Sequence, residues 1–168
     1  RRVQLQLVIL RIDMGVLGEL RPSQMIFTFG VGGLVDLPNM SGIIMGIDDW
    51  DTRYCIPLSE DRLLSAVKKR LGTQVEKLYL PPIAYDDDRD SSLAIGVPVA
   101  PFPRWLRCPI CNLLATIESG VFALREDRWN PDKTRYVHAS CTKAKNEPDA
   151  LPVRFLIACR EGHLSDFP

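Results

Sequence analysis

The chain has 168 residues, 46 % of them hydrophobic and 25 % charged, a balance that builds one ordinary domain, or a domain with a small module, and excludes a disordered polypeptide. Its 21 basic residues are matched by 21 acidic ones, which excludes the basic excess of free-standing nucleic-acid binders. No apolar run is long enough to cross a bilayer as a helix.

In chain order, residues 1–13 open with Arg1-Arg2 and VQLQLVIL. Gln4 and Gln6 interrupt the apolar stretch and no small-residue cleavage site follows, so the segment does not read as a signal peptide. It is expected to be an upstream extension, with Met14 the natural start; the alternative is an edge strand. Residues 14–97 are expected to form a small mixed α+β domain. Within it, residues 25–29 have the β-branched and aromatic content of a strand. Gly30, Gly32 and Gly33 then predict a turn between strands. There is no GxxxxGK[ST], and no GxGxxG opens a helix, so a phosphate loop is set aside. Residues 41–47 read as a further strand.

Residues 59–71 carry the clearest helical pattern. Ser59 is placed to cap it, with Glu60 and Asp61 near the positive end of the dipole. Leu63, Leu64, Val67 and Leu71 share one face, Lys68 to Arg70 suit the negative end, and Gly72 offers the stop. Residues 77–80 read as a strand halted by Pro81-Pro82. The run Asp86-Asp87-Asp88-Arg89-Asp90 lacks the ligand spacing of a calcium loop and reads as a solvated loop. Pro98, Pro101 and Pro103 predict a linker into a second module at 98–150.

That module carries the chemistry. Cys108-Pro109-Ile110-Cys111 is a CxxC knuckle, and His138-Ala139-Ser140-Cys141 repeats its spacing after 26 intervening residues. Three sulfurs and one imidazole are the donor set of a closed, structural zinc site. The predicted ligands of a single zinc ion are therefore Cys108, Cys111, His138 and Cys141, in a zinc-ribbon-like module whose intervening residues 117–124 form a hairpin around Ser119-Gly120. Five cysteines, an odd number, with no secretory signal, favour metal over disulfides and a cytoplasmic protein. A redox CxxC would open a helix in a βαβ unit, which this context lacks. Cys159 and His163 form a rival Cys-x-x-x-His pair. Cys159 ends the apolar run 153–158, however, and reads more simply as a buried core cysteine. Residues 151–168 are expected to be a strand and a GHxxDFP segment. His163, Ser165 and Asp166 invite a hydrolase reading, but no GxSxG elbow accompanies them.

The segments RPSQMIFTFGVGGLVDLP, FPRWLRCPIC and VRFLIACREGHLSDFP together resemble, in that order, the N-terminal part of the DrmB family, a helicase-associated, zinc-binding subunit of DISARM antiphage defence. The resemblance runs from about Gly18 to Pro168. Two departures stand out: His138 takes the place of a usual cysteine, an exchange zinc accepts, and Val31 takes the place of a common proline. The family continues past the Asp-Phe-Pro motif, so a chain ending at Pro168 is expected to be a fragment. The resemblance implies a non-enzymatic partner of an ATP-driven helicase of the DrmA type, contacting DNA mainly through that complex, with no membrane and no small-molecule substrate. Trp50, Trp105 and Trp129 are candidate interface anchors; Trp105, His163 and Asp166 are the first candidates for partner binding. The alternatives are a metal-dependent hydrolase using His163, Asp166 and Cys159, and a direct single-strand binder using Trp105 with Arg104 and Arg107.

Overall fold

The computed structural model describes residues 8–12, 15–82, 95–127 and 129–166. The acidic run at 86–90 and Met14 lie outside the described residues. The fold is α+β: fourteen short strands and two helices among the described residues.

Its centre is a five-stranded sheet in the order β2-β1-β7-β4-β3. Strands β1 (Val8–Ile12) and β2 (Gly15–Leu20) form an antiparallel hairpin. Strand β1 also pairs in parallel with β7 (Val97–Pro101), so residues 8–12 form an interior strand of the sheet and not an edge. Leu10 and Val97 are fully buried where they pair. On the other side β7 runs antiparallel to β4 (Ser41–Ile44), which pairs with the edge strand β3 (Leu34–Asp36). The expected linker is thus a strand inside the sheet, and the boundary expected between 97 and 98 falls within it. Prolines are tolerated there because neither interrupts a ladder. β1 pairs only as far as Pro98, so nothing on that flank needs the N–H that Pro101 lacks. Pro98 still serves through its carbonyl, which accepts from the Met45 N–H at 3.0 Å.

Residues 22–27, which overlap the expected strand at 25–29, are helical: α1 (Pro22–Phe27). Pro22 sits at the first helical position, where its missing N–H costs nothing, and Gln24 Oε1 accepts from the Arg21 N–H at 2.9 Å. These start signals outweigh the strand propensity of Ile26, Phe27 and Phe29. The glycine turn therefore joins a helix to a strand. Gly33 N–H donates to the Gly30 carbonyl at 2.8 Å, with Gly32 at φ 76°, and the turn is laid onto β4 by Gly32 N–H to Ile44 O, 2.8 Å.

Helix α2 (Asp61–Leu71) lies between β5 (Ile56–Leu58) and β6 (Leu78–Leu80), which pair antiparallel. The helix begins two residues later than expected, with Glu60 rather than Ser59 at its cap and no side-chain capping bond. Its apolar face is not a core face: Leu63 and Leu71 are exposed, and Leu64 and Val67 half-buried.

The second half carries β8 (Trp105–Arg107), β9 (Leu114–Thr116), β10 (Ala123–Arg125), β11 (Arg135–Val137) and β12 (Leu151–Pro152). One three-stranded sheet runs β12-β8-β9 and one hairpin pairs β10 with β11. The expected hairpin within 117–124 is absent. β9 pairs backward with β8, β10 pairs forward with β11, and Ile117–Ser119 is a 3-10 turn ended by Gly120 at φ 73°. The two halves share one apolar core, in which Leu10, Val35, Ile44, Val97 and Val99 of the sheet are continuous with Leu106, Phe122, Tyr136 and Ala150. The chain then forms a last hairpin, β13 (Leu156–Ala158) with β14 (Leu164–Asp166). Contrary to expectation, the apolar residues of β13 and Cys159 are exposed rather than buried. Among the described residues no helix is long and apolar enough to cross a membrane.

Candidate metal centre

The first ligand pair sits in the turn that joins β8 to β9. Cys108 follows directly on β8. Its N–H donates to Leu113 O and its carbonyl accepts from Asn112 N–H, both at 2.9 Å. Asn112 adopts φ 62°, a left-handed conformation that asparagine takes more readily than most residues. Arg107 closes the turn from outside with a 3.0 Å bond to Asn112 Oδ1. This tight turn sends both thiols to one side.

The second pair follows β11. His138 N–H donates to Pro148 O at 2.9 Å, and Cys141 N–H reaches His138 O at 3.4 Å. Phe122, itself buried, meets the imidazole edge-on with ring centroids 5.5 Å apart. The contact packs one side of the ring, whose Nδ1 faces the Cys111 sulfur.

The four side chains converge. One ligand atom from each of Cys108, Cys111, His138 and Cys141 lies within 4.8 Å of all the others. Cys108 Sγ and Cys141 Sγ are 3.9 Å apart, and Cys111 Sγ is 3.5 Å from His138 Nδ1. Zinc–sulfur bonds near 2.3 Å and zinc–nitrogen bonds near 2.05 Å at tetrahedral angles require about 3.8 Å between two sulfurs and about 3.6 Å between sulfur and nitrogen. These two pairs thus stand near the separations one ion sets, and the two sulfurs lie far outside disulfide length. Cys108 and His138 are buried, Cys111 and Cys141 half-buried. Burial pushes the Cys108 thiol up, but bonds from the Cys111 and Ile110 N–H groups and from His138 outweigh it and bring Cys108 down to about 6. The Leu113 N–H draws Cys111 down, but burial and the Cys108 and Cys141 sulfurs prevail and hold it above its usual value. A bound cation would hold the cysteines as thiolates. The arrangement is a possible single metal site.

The remaining candidates are placed elsewhere. Asp166 is buried, and its carboxylate accepts from the Arg104 N–H and from Arg104 Nε, each at 2.8 Å. It clamps the β13–β14 hairpin to the start of β8. His163 Nδ1 faces Cys159 Sγ at 3.3 Å. Asp166 is thus engaged by Arg104 and His163 by Cys159. Trp105 is half-buried within the β12-β8-β9 sheet, and Trp50 is half-buried with its Nε1–H on Met45 O at 3.0 Å. Trp129 alone of the three is free-standing, 96 % exposed. Two ion pairs flank the loop after Cys141: Arg125 with Glu147, and Arg135 with Asp149, each at 2.7 Å. The sequence carried no signal for the Arg104–Asp166 clamp, whose partners are 62 residues apart, nor for Phe122 as the residue that packs on His138.

A family model described as "Domain of unknown function (DUF8724)" matches residues 21–168. No curated protein matches the chain.

Proposed function

The chain belongs to this family of unknown function, and we propose that it is a non-catalytic, zinc-stapled scaffold that holds or regulates an ATP-driven DNA helicase. The observation that carries the zinc reading is the convergence of three sulfurs and one imidazole nitrogen within 4.8 Å. Soft thiolates with a single imidazole suit zinc, and four protein donors leave no open position at which water could be activated. The ion's role in this reading is structural, in a zinc-ribbon-like module over residues 98–150.

The helicase partner rests on the resemblance of the RPSQ–GVGG–DLP, FPRWLRCPIC and GHLSDFP segments to DrmB, and with it antiphage defence, a DrmA-type helicase and a cytoplasmic setting. Two features suit a scaffold. The net charge of zero leaves DNA contact to the complex. The exposed apolar run Phe155, Leu156 and Ile157, two residues beyond Val153, whose N–H bonds the Trp105 carbonyl, offers a surface for a protein partner. A hydrolase built on His163 and Asp166 is disfavoured, because Arg104 occupies the carboxylate.

The test has two arms. Elemental analysis of chain purified without chelator should find about one zinc per molecule, lost in Cys111→Ser; metal-free protein would sink the staple. Co-expression with the helicase subunit should yield a complex that survives purification and is weakened by Phe155→Asp with zinc retained. Metal-dependent nuclease or phosphatase activity abolished by His163→Ala would replace the scaffold with the hydrolase.

A further inference from the structure

A second pair of metal-ligand side chains stands outside the four-residue cluster. The β13–β14 hairpin reverses through Arg160, Glu161 and Gly162, with Gly162 at φ 86°. Cys159 N–H donates to His163 O, and Gly162 N–H to Cys159 O, both at 3.1 Å. This closure brings Cys159 Sγ to 3.3 Å from His163 Nδ1. The same two atom types in the closed cluster, Cys111 Sγ and His138 Nδ1, are 3.5 Å apart. A tetrahedral zinc sets such a pair about 3.6 Å apart. The tip thus presents a sulfur and a nitrogen at nearly ligand spacing, and both residues are exposed. Among the described residues no third cysteine, histidine or carboxylate joins them.

Two donors are half of a tetrahedral sphere. A two-fold axis through the ion supplies the other half from the same two residues, since an isologous interface brings each patch onto its own copy. We propose that Cys159 and His163 are a metal half-site, completed by the same pair of a second copy of this chain, with a thiophilic divalent ion of the zinc type on the two-fold axis.

The hairpin is suited to such a meeting. It is a separate two-stranded sheet, an arrangement that is only marginally stable alone and whose open edges invite another chain. Leu156, Ile157 and Leu164 on it are exposed. The turn itself carries one positive and one negative residue, Arg160 and Glu161, so two tips approach without net repulsion.

The experiment uses the whole chain under a phosphine reductant, which prevents a Cys159 disulfide. Zinc is added to saturation and excess removed; ions per chain are then measured with the mass in solution, and each is compared with Cys159→Ser and His163→Gln. The expected result is about half an ion per chain more in the parent than in either variant, with a doubling of mass in the parent alone. Because the reading is an increment, occupancy of the four-residue cluster cancels from it. Equal zinc in parent and variants overturns the proposal. So does a full extra ion on a monomer, or a dimer that persists in Cys159→Ser.

Discussion

Removal of the ion by a chelator should open the second half of the molecule while the central sheet stays closed. The strands that frame the cluster are three residues long or shorter, and pairs of that size do not hold themselves together. The large apolar side chains buried from β8 to β12 are Leu106, Phe122, Tyr136 and Val137. At about 1.5–3 kcal/mol each, an upper estimate, they supply roughly 6–12 kcal/mol. A structural zinc supplies about 10–16 kcal/mol, so the ion's contribution is of the same order or larger. Amide hydrogen exchange reads the outcome at single bonds. With the chelator, the N–H groups of Cys108, Asn112, His138 and Ala150 should lose protection, because their acceptors Leu113, Cys108, Pro148 and Tyr136 all lie in the opened segment. The Met45 and Phe102 N–H groups, bonded to Pro98 and Ser41 across the β4–β7 pair, should keep theirs. Because one apolar cluster spans both halves, protection near Val99 should fall somewhat, whereas α2, which is outside that cluster, should not change. Unchanged exchange at Cys108 and His138 would refute the argument, as would uniform loss across β4 and β7.

Asp166→Ala should cost about 1.5–3 kcal/mol in urea unfolding, the range for bonds to a charged acceptor, and should raise exchange through β13 and β14; an unchanged midpoint would mean that the Arg104 clamp is idle. Gly42→Ala should lower stability by about 1–3 kcal/mol, since the added carbon would lie 2.8 Å from the Ala100 carbonyl oxygen and closer still to Val99, both fixed in the paired strand; wild-type stability would show that β4 and β7 are less closely apposed. The Arg125 guanidinium holds the Glu147 carboxyl below its ordinary 4.5, so the pair's contribution is full above that value and fades as pH falls through the lowered one. An NMR titration should find Glu147 depressed in the parent and restored in Arg125→Ala, and the same titration in both would exclude the pair.

The metal cluster was legible because its chemistry is local: each pair fixes its own tight turn, and the repeated two-residue gap makes accidental spacing unconvincing. Its scaffold was not, because strand partners are chosen over distance. Residues 117–124, with Ser119-Gly120 at their centre, have the composition of a hairpin, yet the strands on either side, β9 and β10, find their partners in β8 and β11. Helix α1 shows start chemistry at Pro22 and Gln24 prevailing over β-branched content at Ile26. The prolines at 98 and 101 concealed a strand, since what decides their tolerance is which neighbour needs an N–H, and that depends on the end of β1. Helix α2 was predicted from its period to within two residues, but its period says only that one face is apolar, not that this face is covered. Cys159 misled for a similar reason: an apolar run predicts burial only if something packs on it, and β13 stands on the surface.

Strand β12 has a mechanical consequence. It lies against β8, and Val153 N–H donates to Trp105 O at 2.9 Å, so the chain leaves the metal module beside the point where it entered. The module is an excursion whose two ends are fastened together, and the Arg104–Asp166 clamp adds a second fastening nearby. Tension between the central sheet and the β13–β14 hairpin would run from β7 through these ties and bypass the cysteines. The ion would bear load only after β8 and β12 had peeled apart from this end, and insertions within the excursion would lengthen a slack loop without moving its anchors.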